Sequence, residues 1–207
     1  MRTRVDTVLF ALIAALLCGG ALIFSSAALG LLARGATHIS SVVFNHFVLG
    51  IGIGCILLLI GYSLDYKRWR VFAPYLFFLS LIATALVFVP GLGFEHGGGR
   101  RWIDLRFVTL QPSEFLKPAA IIAAAALFSY LRGETATWKG PVAFLSLMTA
   151  PVILLLFQPD IGTLGIVSIS VFALFIAAGA RFRDIMFIGC GALVTLLLLS
   201  FTPQFHY

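Results

Sequence analysis

The chain has 207 residues, 61% of them hydrophobic and only 11% charged, where a soluble domain is about a quarter charged and about half apolar. That composition excludes a cytosolic enzyme, a disordered tail and a nucleic-acid-binding domain. The net charge of +6 lies between apolar runs, so it marks membrane topology rather than a nucleic-acid partner.

A helix crossing a hydrocarbon core about 30 Å thick needs about 20 apolar residues. Uncharged stretches cover 7–33, 35–64, 71–94, 118–131, 140–159, 161–180 and 185–207. They predict helices near 8–31, 45–64, 71–89, 142–158, 160–179 and 185–201. A seventh, over 118–131, spans only if it starts near Ser113. The runs are continuous rather than alternating, which argues against a barrel. The fold class is all-α polytopic membrane protein, about seven transmembrane helices, in a single domain over 1–207.

Arg2 and Arg4 precede the first run, and Ser25-Ser26-Ala27 resembles a cleavage site. The run is too long for a signal-peptide core and reads as an uncleaved signal anchor. With the N-terminus cytoplasmic, nine cations fall inside: Arg2, Arg4, Lys67, Arg68, Arg70, Arg132, Lys139, Arg181 and Arg183. Five fall outside: Arg34, Arg100, Arg101, Arg106 and Lys117. That is the sense of the positive-inside rule. Four of the five outer ones cluster between 100 and 117, where topology alone would scatter them.

Gly50-Ile51-Gly52-Ile53-Gly54 has the look of a nucleotide loop but sits mid-span, where small residues serve close helix packing. Asp65, Lys67, Arg68 and Arg70 read as a solvated inner loop. Cys18, Cys55 and Cys190 lie in separate apolar runs with no CxxC, as packing residues rather than a disulfide or zinc set. His38, His46, His96 and His206 fall on the outer side at unordered spacing, so interface histidines are favoured over a metal site.

Residues 90–117 carry the chemistry. Gly97 to Gly99 permit unusual backbone angles, and Arg100, Arg101 and the interfacial Trp102 follow. Ile103, Leu105 and Phe107 alternate with Asp104 and Arg106, as in a segment lying along the outer surface. Pro112 suits a first helical turn, Ser113 is placed to cap it, and Glu114 is favoured there by the helix dipole. Glu114 and Lys117 share a face at i, i+3. Pro118 cannot bond the carbonyl of Glu114, so a local distortion is expected.

Gln158-Pro159-Asp160 repeats the device. Asp160 lies between two uncharged runs with no linker, in the tight turn joining two spans at the membrane boundary. Two helix N-termini thus face outward, each with a carboxylate, and the arginines of the preceding loop lie near both. A structural alternative is an ion-pair network stapling loops to helix ends. As a group, cations beside membrane-embedded acids suit a lipid-linked anionic headgroup, because arginine pairs phosphate bidentately and lysine binds it as a point charge.

At these residues the chain resembles the SEDS family (shape, elongation, division and sporulation), which includes the RodA and FtsW proteins. The resemblance rests on Gly99-Arg100-Arg101-Trp102-Ile103-Asp104-Leu105, Gln111-Pro112-Ser113-Glu114-Phe115-Leu116-Lys117 and Gln158-Pro159-Asp160-Ile161-Gly162-Thr163. It extends over essentially the whole chain. Phe88-Val89-Pro90-Gly91 is slightly more similar to the FtsW branch.

The resemblance implies a multi-pass protein of the bacterial inner (plasma) membrane that polymerises lipid II into peptidoglycan for cell division or cell shape. It also implies a class B penicillin-binding protein as partner. Arg101, Glu114, Lys117 and Asp160 match the family's motif polar residues, and Arg100 and Gln111 join them as candidate substrate-binding residues. Arg101 and Lys117 would stabilise the departing pyrophosphate, with Glu114 orienting Lys117. No metal set is visible, although a divalent cation could assist. The family's proposed catalytic aspartate lies in an outer loop expected beyond Tyr207, so the catalytic residue is unknown here and the chain resembles the N-terminal portion of a larger membrane domain. Two other functions compete: a flippase for the lipid-linked precursor, which needs polar residues continuing inward, and a non-catalytic membrane scaffold.

Overall fold

In the computed structural model, described for residues 6–33, 50–96, 99–104, 109–131 and 133–201, the chain divides into two units, Met1–Ser63 and Leu64–Tyr207. The first holds α1 (Thr7–Ala33) and α2 (Ile53–Ser63), the latter entered through a π turn at 50–52. Asp6 starts α1 by accepting from the backbone N–H groups of Val8 and Leu9 at 3.0 and 3.1 Å, which satisfies donors that have no helical partner. Leu9, Phe10, Leu16, Leu22 and Ile23 are all exposed, as suits a helix solvated by lipid. A Cβ built on Gly54 meets no atom within 4 Å. The close packing expected of the 50–54 glycines is therefore not made at that position among the described residues.

The second unit begins with α3 (Tyr66–Ala85), extended by a 3-10 turn over Leu86–Phe88. Three short strands follow: β1 (Gly93–His96), β2 (Gly99–Asp104) and β3 (Thr109–Leu110). Then come α4 (Pro112–Tyr130), a 3-10 turn over Glu134–Ala136, α5 (Lys139–Phe157), α6 (Ile161–Ala177) and α7 (Phe182–Ser200). The helical membrane reading holds, with seven α-helices of unequal length and one small sheet among the described residues. By length and composition, Thr7–Gly30, Tyr66–Phe88 and Lys139–Phe157 are each able to cross a membrane, while the apolar helices Gly50–Ser63 and Ile161–Ala177 are shorter.

Three local expectations are corrected. Asp65 to Arg70 is not a loop: Asp65 caps α3 by accepting from the Lys67 N–H at 3.0 Å, so the basic residues form the first helical turn. The segment after Pro90 is not a single unpaired strip. It folds into an antiparallel sheet of order β1-β2-β3, because a strand with exposed backbone needs a partner for its N–H and C=O groups. Cys18, Cys55 and Cys190 are free and exposed rather than packed inside. The helix α4 also runs unbroken across Pro118. The expectations for Arg2, Arg4, Arg34, His38, His46, Gly97, Leu105, Arg106, Phe107, Arg132 and His206 lie outside the described residues.

The core of the second unit forms around α4. Half of its buried residues are alanine (Ala119, Ala120, Ala123, Ala124), which lets neighbouring backbones approach without a hydrophobic driving force in lipid. Phe77 and Leu81 of α3, Leu147 and Met148 of α5, and Val167 and Val171 of α6 fill the same cluster. Phe175 of α6 closes it against Phe128 and Phe144, at ring separations of 5.6 and 5.4 Å. A helix of 19 residues is about 28 Å long, so α4 can traverse the hydrocarbon only if its first turn, with Glu114 and Lys117, lies at the membrane boundary.

Candidate functional site

The site is built where α5 gives way to α6. Phe157 ends α5, and Pro159 has no N–H with which to continue it. The Asp160 N–H bonds back to the Leu155 carbonyl at 2.9 Å, and its side chain accepts from the Thr163 N–H at 3.1 Å. One aspartate thus closes one helix and caps the next. Pro159 thus leaves the turn between the two helices with no N–H of its own to contribute.

Arg101 holds the turn through its backbone carbonyls. In the ladder between β1 and β2, Phe94 faces Trp102 and Glu95 faces Arg100, and the register slips between them. Arg101 is the extra residue, a bulge that re-aims its side chain. Its Nε donates to the Gln158 carbonyl at 3.2 Å and its Nη2 to the Pro159 carbonyl at 2.7 Å. Gly99 makes the approach possible: a Cβ there would lie 2.9 Å from Arg101 Nε and 3.0 Å from the Gln158 carbonyl oxygen. The sequence placed Arg101 near the acids, and it is near, but in this structure it grips backbone carbonyls.

Asp160 is buried and sits in a node of neutral donors. Gln111 Nε2 donates to its Oδ2 at 3.2 Å, and the Ser113 hydroxyl donates to the same oxygen at 3.3 Å. Gln111, not Ser113, occupies the cap position of α4. Ser113 therefore does not cap its own helix as expected. It joins α4 to the α6 N-terminus instead. Gln158 completes the node: its Nε2 donates to the Thr84 carbonyl at 2.7 Å, in the last turn of α3. Its Oε1 is buried without a hydrogen-bond partner. The ends of α3 and α5 and the starts of α4 and α6 are thereby tied together, beside the sheet.

Glu114 and Lys117 form the expected ion pair at 2.7 Å. The side chain of Glu114 is 54% exposed and that of Lys117 is 22% exposed. They lie at the rim, one helical turn from Ser113, and Arg100 is exposed on β2 beside Arg101. The six candidate residues thus gather at one end of this unit, split between a buried neutral-donor node (Gln111, Asp160, with Arg101 beneath the turn) and an exposed charged pair with Arg100 nearby. Below the node the core is Leu116, Leu155 and Leu164 and then the phenylalanine cluster.

Ser113, Gln158, Thr84 and Thr163 carry as much of the node as the charged residues do. The Gln-Pro step at 158, a repeat of the one at 111, is a signal for Gln158, since each glutamine amide crosses to another helix. Thr84, mid-run in an apolar helix, gives no signal at all.

A family model described as cell cycle protein (FtsW, RodA, SpoVE) matches residues 6–206. The probable peptidoglycan glycosyltransferase FtsW of Geobacter sulfurreducens is 30% identical over 211 residues, covering 98% of this chain and 54% of that protein. The crystal structure of the Thermus thermophilus rod shape determining protein RodA superposes with a TM-score of 0.59 at 31% identity, over 70% of this chain and 47% of RodA. A structure titled as the structural coordination of polymerization and crosslinking by a peptidoglycan synthase complex gives a TM-score of 0.64 at 28% identity, over 90% of this chain and 56% of the other. The chain spans about half the length, or less, of the curated relatives it matches.

Proposed function

The chain belongs to the FtsW/RodA/SpoVE family of cell cycle proteins, the SEDS family its motifs resemble, and from that premise we propose that it contributes the headgroup-binding end of a lipid II polymerase, a peptidoglycan glycosyltransferase. The observation that carries this reading is the Glu114–Lys117 pair standing at the rim beside the buried Asp160 node. A lysine held at the membrane boundary by its own carboxylate is suited to receive a phosphate-bearing headgroup as a point charge.

In the reaction, an acceptor sugar hydroxyl loses its proton to a carboxylate base and attacks the anomeric carbon of the donor. The bond to the polyprenyl pyrophosphate breaks, and negative charge grows on the leaving group. Lys117 at the rim and Arg100 exposed on β2 are the cations that can meet that charge. Glu114 holds Lys117 until substrate arrives, and Asp160, through Gln111 and Ser113, fixes the start of the helix that carries them. Arg101 serves the phosphate only indirectly, by holding the turn. The general base is not assigned among the described residues. Among them, no group of three or more His, Cys, Asp or Glu is placed to hold a metal ion.

The sheet end of the second unit is taken as the outer side of the bacterial inner membrane, with the N-terminus cytoplasmic, from the distribution of Lys and Arg. The buried core below the node is apolar, which favours chemistry at one surface over transport across the bilayer. A class B penicillin-binding protein is the partner proposed, supported by the likeness to a complex whose title joins polymerization with crosslinking. The test is binding of lipid II by the chain in nanodiscs. Saturable binding that polyprenol, lacking pyrophosphate, does not compete supports the reading, and equal competition by polyprenol overturns it.

A further inference from the structure

Gln158 is one of the fully enclosed polar side chains at the site, 1% exposed, and the reading above gives it no task. Its carboxamide nitrogen reaches the Thr84 carbonyl at 2.7 Å, bridging 74 residues of sequence. Its own carbonyl is held by Arg101. Two residues on, Asp160 receives Gln111 and Ser113 of the helix that bears Glu114 and Lys117. We propose that Gln158 is a positioning residue, whose donated hydrogen bond to Thr84 sets the height of the Asp160 turn and, through Ser113, the presentation of Lys117 to a pyrophosphate-bearing lipid.

The chemistry of the position narrows what the side chain must supply. A leucine or methionine would fill the space without an orphaned acceptor, yet Oε1 is left with no partner, and a buried unmatched acceptor is unfavourable. The residue is therefore held for its donor, the amide N–H. Thr84 cannot be bonded otherwise from this turn, because Pro159 lacks an N–H and the Asp160 N–H is spent on Leu155.

This argument yields a reversible probe. In Gln158→Glu, the protonated acid still donates to the Thr84 carbonyl. The ionised acid donates nothing and sets its charge against that carbonyl, and no donor awaits its second oxygen. Burial favours the neutral form. The donor is present below the apparent pKa and is lost as pH rises through it. The charged groups at the turn are Arg101 from β2 and Asp160 on the turn itself, with Glu114 and Lys117 on α4 beyond Ser113. All four are present in the parent chain, so comparing variant with parent at each pH isolates the introduced carboxyl.

The inference rests on the headgroup reading, and the experiment separates the two. A fluorescent polyprenyl-pyrophosphoryl disaccharide is titrated into nanodiscs holding the parent chain, Gln158→Leu or Gln158→Glu, between pH 5 and 8. Emission of Trp102 is followed in a Trp69→Phe, Trp138→Phe background. Gln158→Leu is expected to bind about tenfold more weakly at every pH, the equivalent of one lost hydrogen bond. Gln158→Glu should match it at pH 8 and recover toward the parent at pH 5, with Trp102 emission following the same course. Parental affinity in Gln158→Leu, or a Gln158→Glu profile parallel to the parent throughout, overturns the proposal. Should the parent bind no ligand, the headgroup reading falls. The positional claim then stands or falls on whether Trp102 emission shifts in Gln158→Glu with pH. An unfolded Gln158→Leu leaves the same pH series in Gln158→Glu as the deciding measurement.

Discussion

Arg101 and Pro159, 58 residues apart, are joined by a 2.7 Å hydrogen bond from the guanidinium to a carbonyl in a turn that has no N–H of its own to spare. A second bond, from Nε to Gln158, makes the contact two-pronged. Arg101→Ala removes both, and is expected to lower stability by about 2 kcal/mol, since bonds from a charged donor are worth roughly 1.5–3 kcal/mol each when buried and less when partly exposed. Arg101→Lys keeps the charge but not the fork, and should recover less than half of that loss. Thermal unfolding in a fixed detergent measures both. Equal stability of Arg101→Ala and the parent would show that the clamp is idle.

Gly99→Ala places a methyl between Arg101 Nε and the Gln158 carbonyl. Overpacking of this kind costs about 1–3 kcal/mol. In an Arg101→Ala background half of the obstruction is gone, so the two substitutions should be strongly non-additive. Simple additivity in a double-mutant cycle would place the damage elsewhere.

Asp160 offers a test of charge against geometry. In Asp160→Asn, Oδ1 can still cap Thr163, the Ser113 hydroxyl can turn to accept, and the Gln111 amide can rotate. Stability should fall by less than about 1 kcal/mol. Asp160→Ala loses the cap and strands buried donors, at about 2–3 kcal/mol. If ligand binding in Asp160→Asn falls far more than stability does, the negative charge itself takes part. If the two fall together, the residue serves the scaffold.

Lys117 and Glu114 should behave in the opposite way. Their exposed pair contributes no more than about 0.5 kcal/mol, so Lys117→Ala should leave the unfolding midpoint almost unmoved while weakening binding of a pyrophosphate-bearing lipid about tenfold or more. Glu114→Gln, which frees the lysine, should alter affinity less. Unchanged affinity in Lys117→Ala removes the residue from the binding surface.

Orientation can be read from two exposed positions at opposite ends of the second unit, Leu92 and Trp138. In a background with Cys18, Cys55 and Cys190 replaced by alanine, Leu92→Cys should react with an impermeant maleimide from the outer side. Trp138→Cys should react only after permeabilisation. The reverse pattern inverts the topology.

The helices were legible because continuous apolar runs between charges have few other uses. The Glu114–Lys117 pair was legible because i, i+3 spacing is local, and Asp160 because two uncharged runs meet at it with no room for a loop. What was not legible depends on distance along the chain. The sheet joins a glycine-rich segment to a charged one, neither of which reads as a strand alone. The slip that frees Arg101 exists only in the pairing of Phe94 with Trp102 and Glu95 with Arg100. Arginine beside acids suggested a salt bridge or a phosphate, and the geometry chose carbonyls. The replacement of Arg70 and its neighbours from loop to helix followed from a single cap at Asp65, which composition does not weigh.

The slip in the ladder also decides where this hairpin tolerates interruption. An epitope spliced between His96 and Gly99 lies past the final rung and leaves the parity of β2 unchanged. One added residue between Arg101 and Trp102 inverts every side chain on one side of the splice and turns the guanidinium off its carbonyls. Imaging tags belong at the tip, and libraries that vary hairpin length should vary it only there.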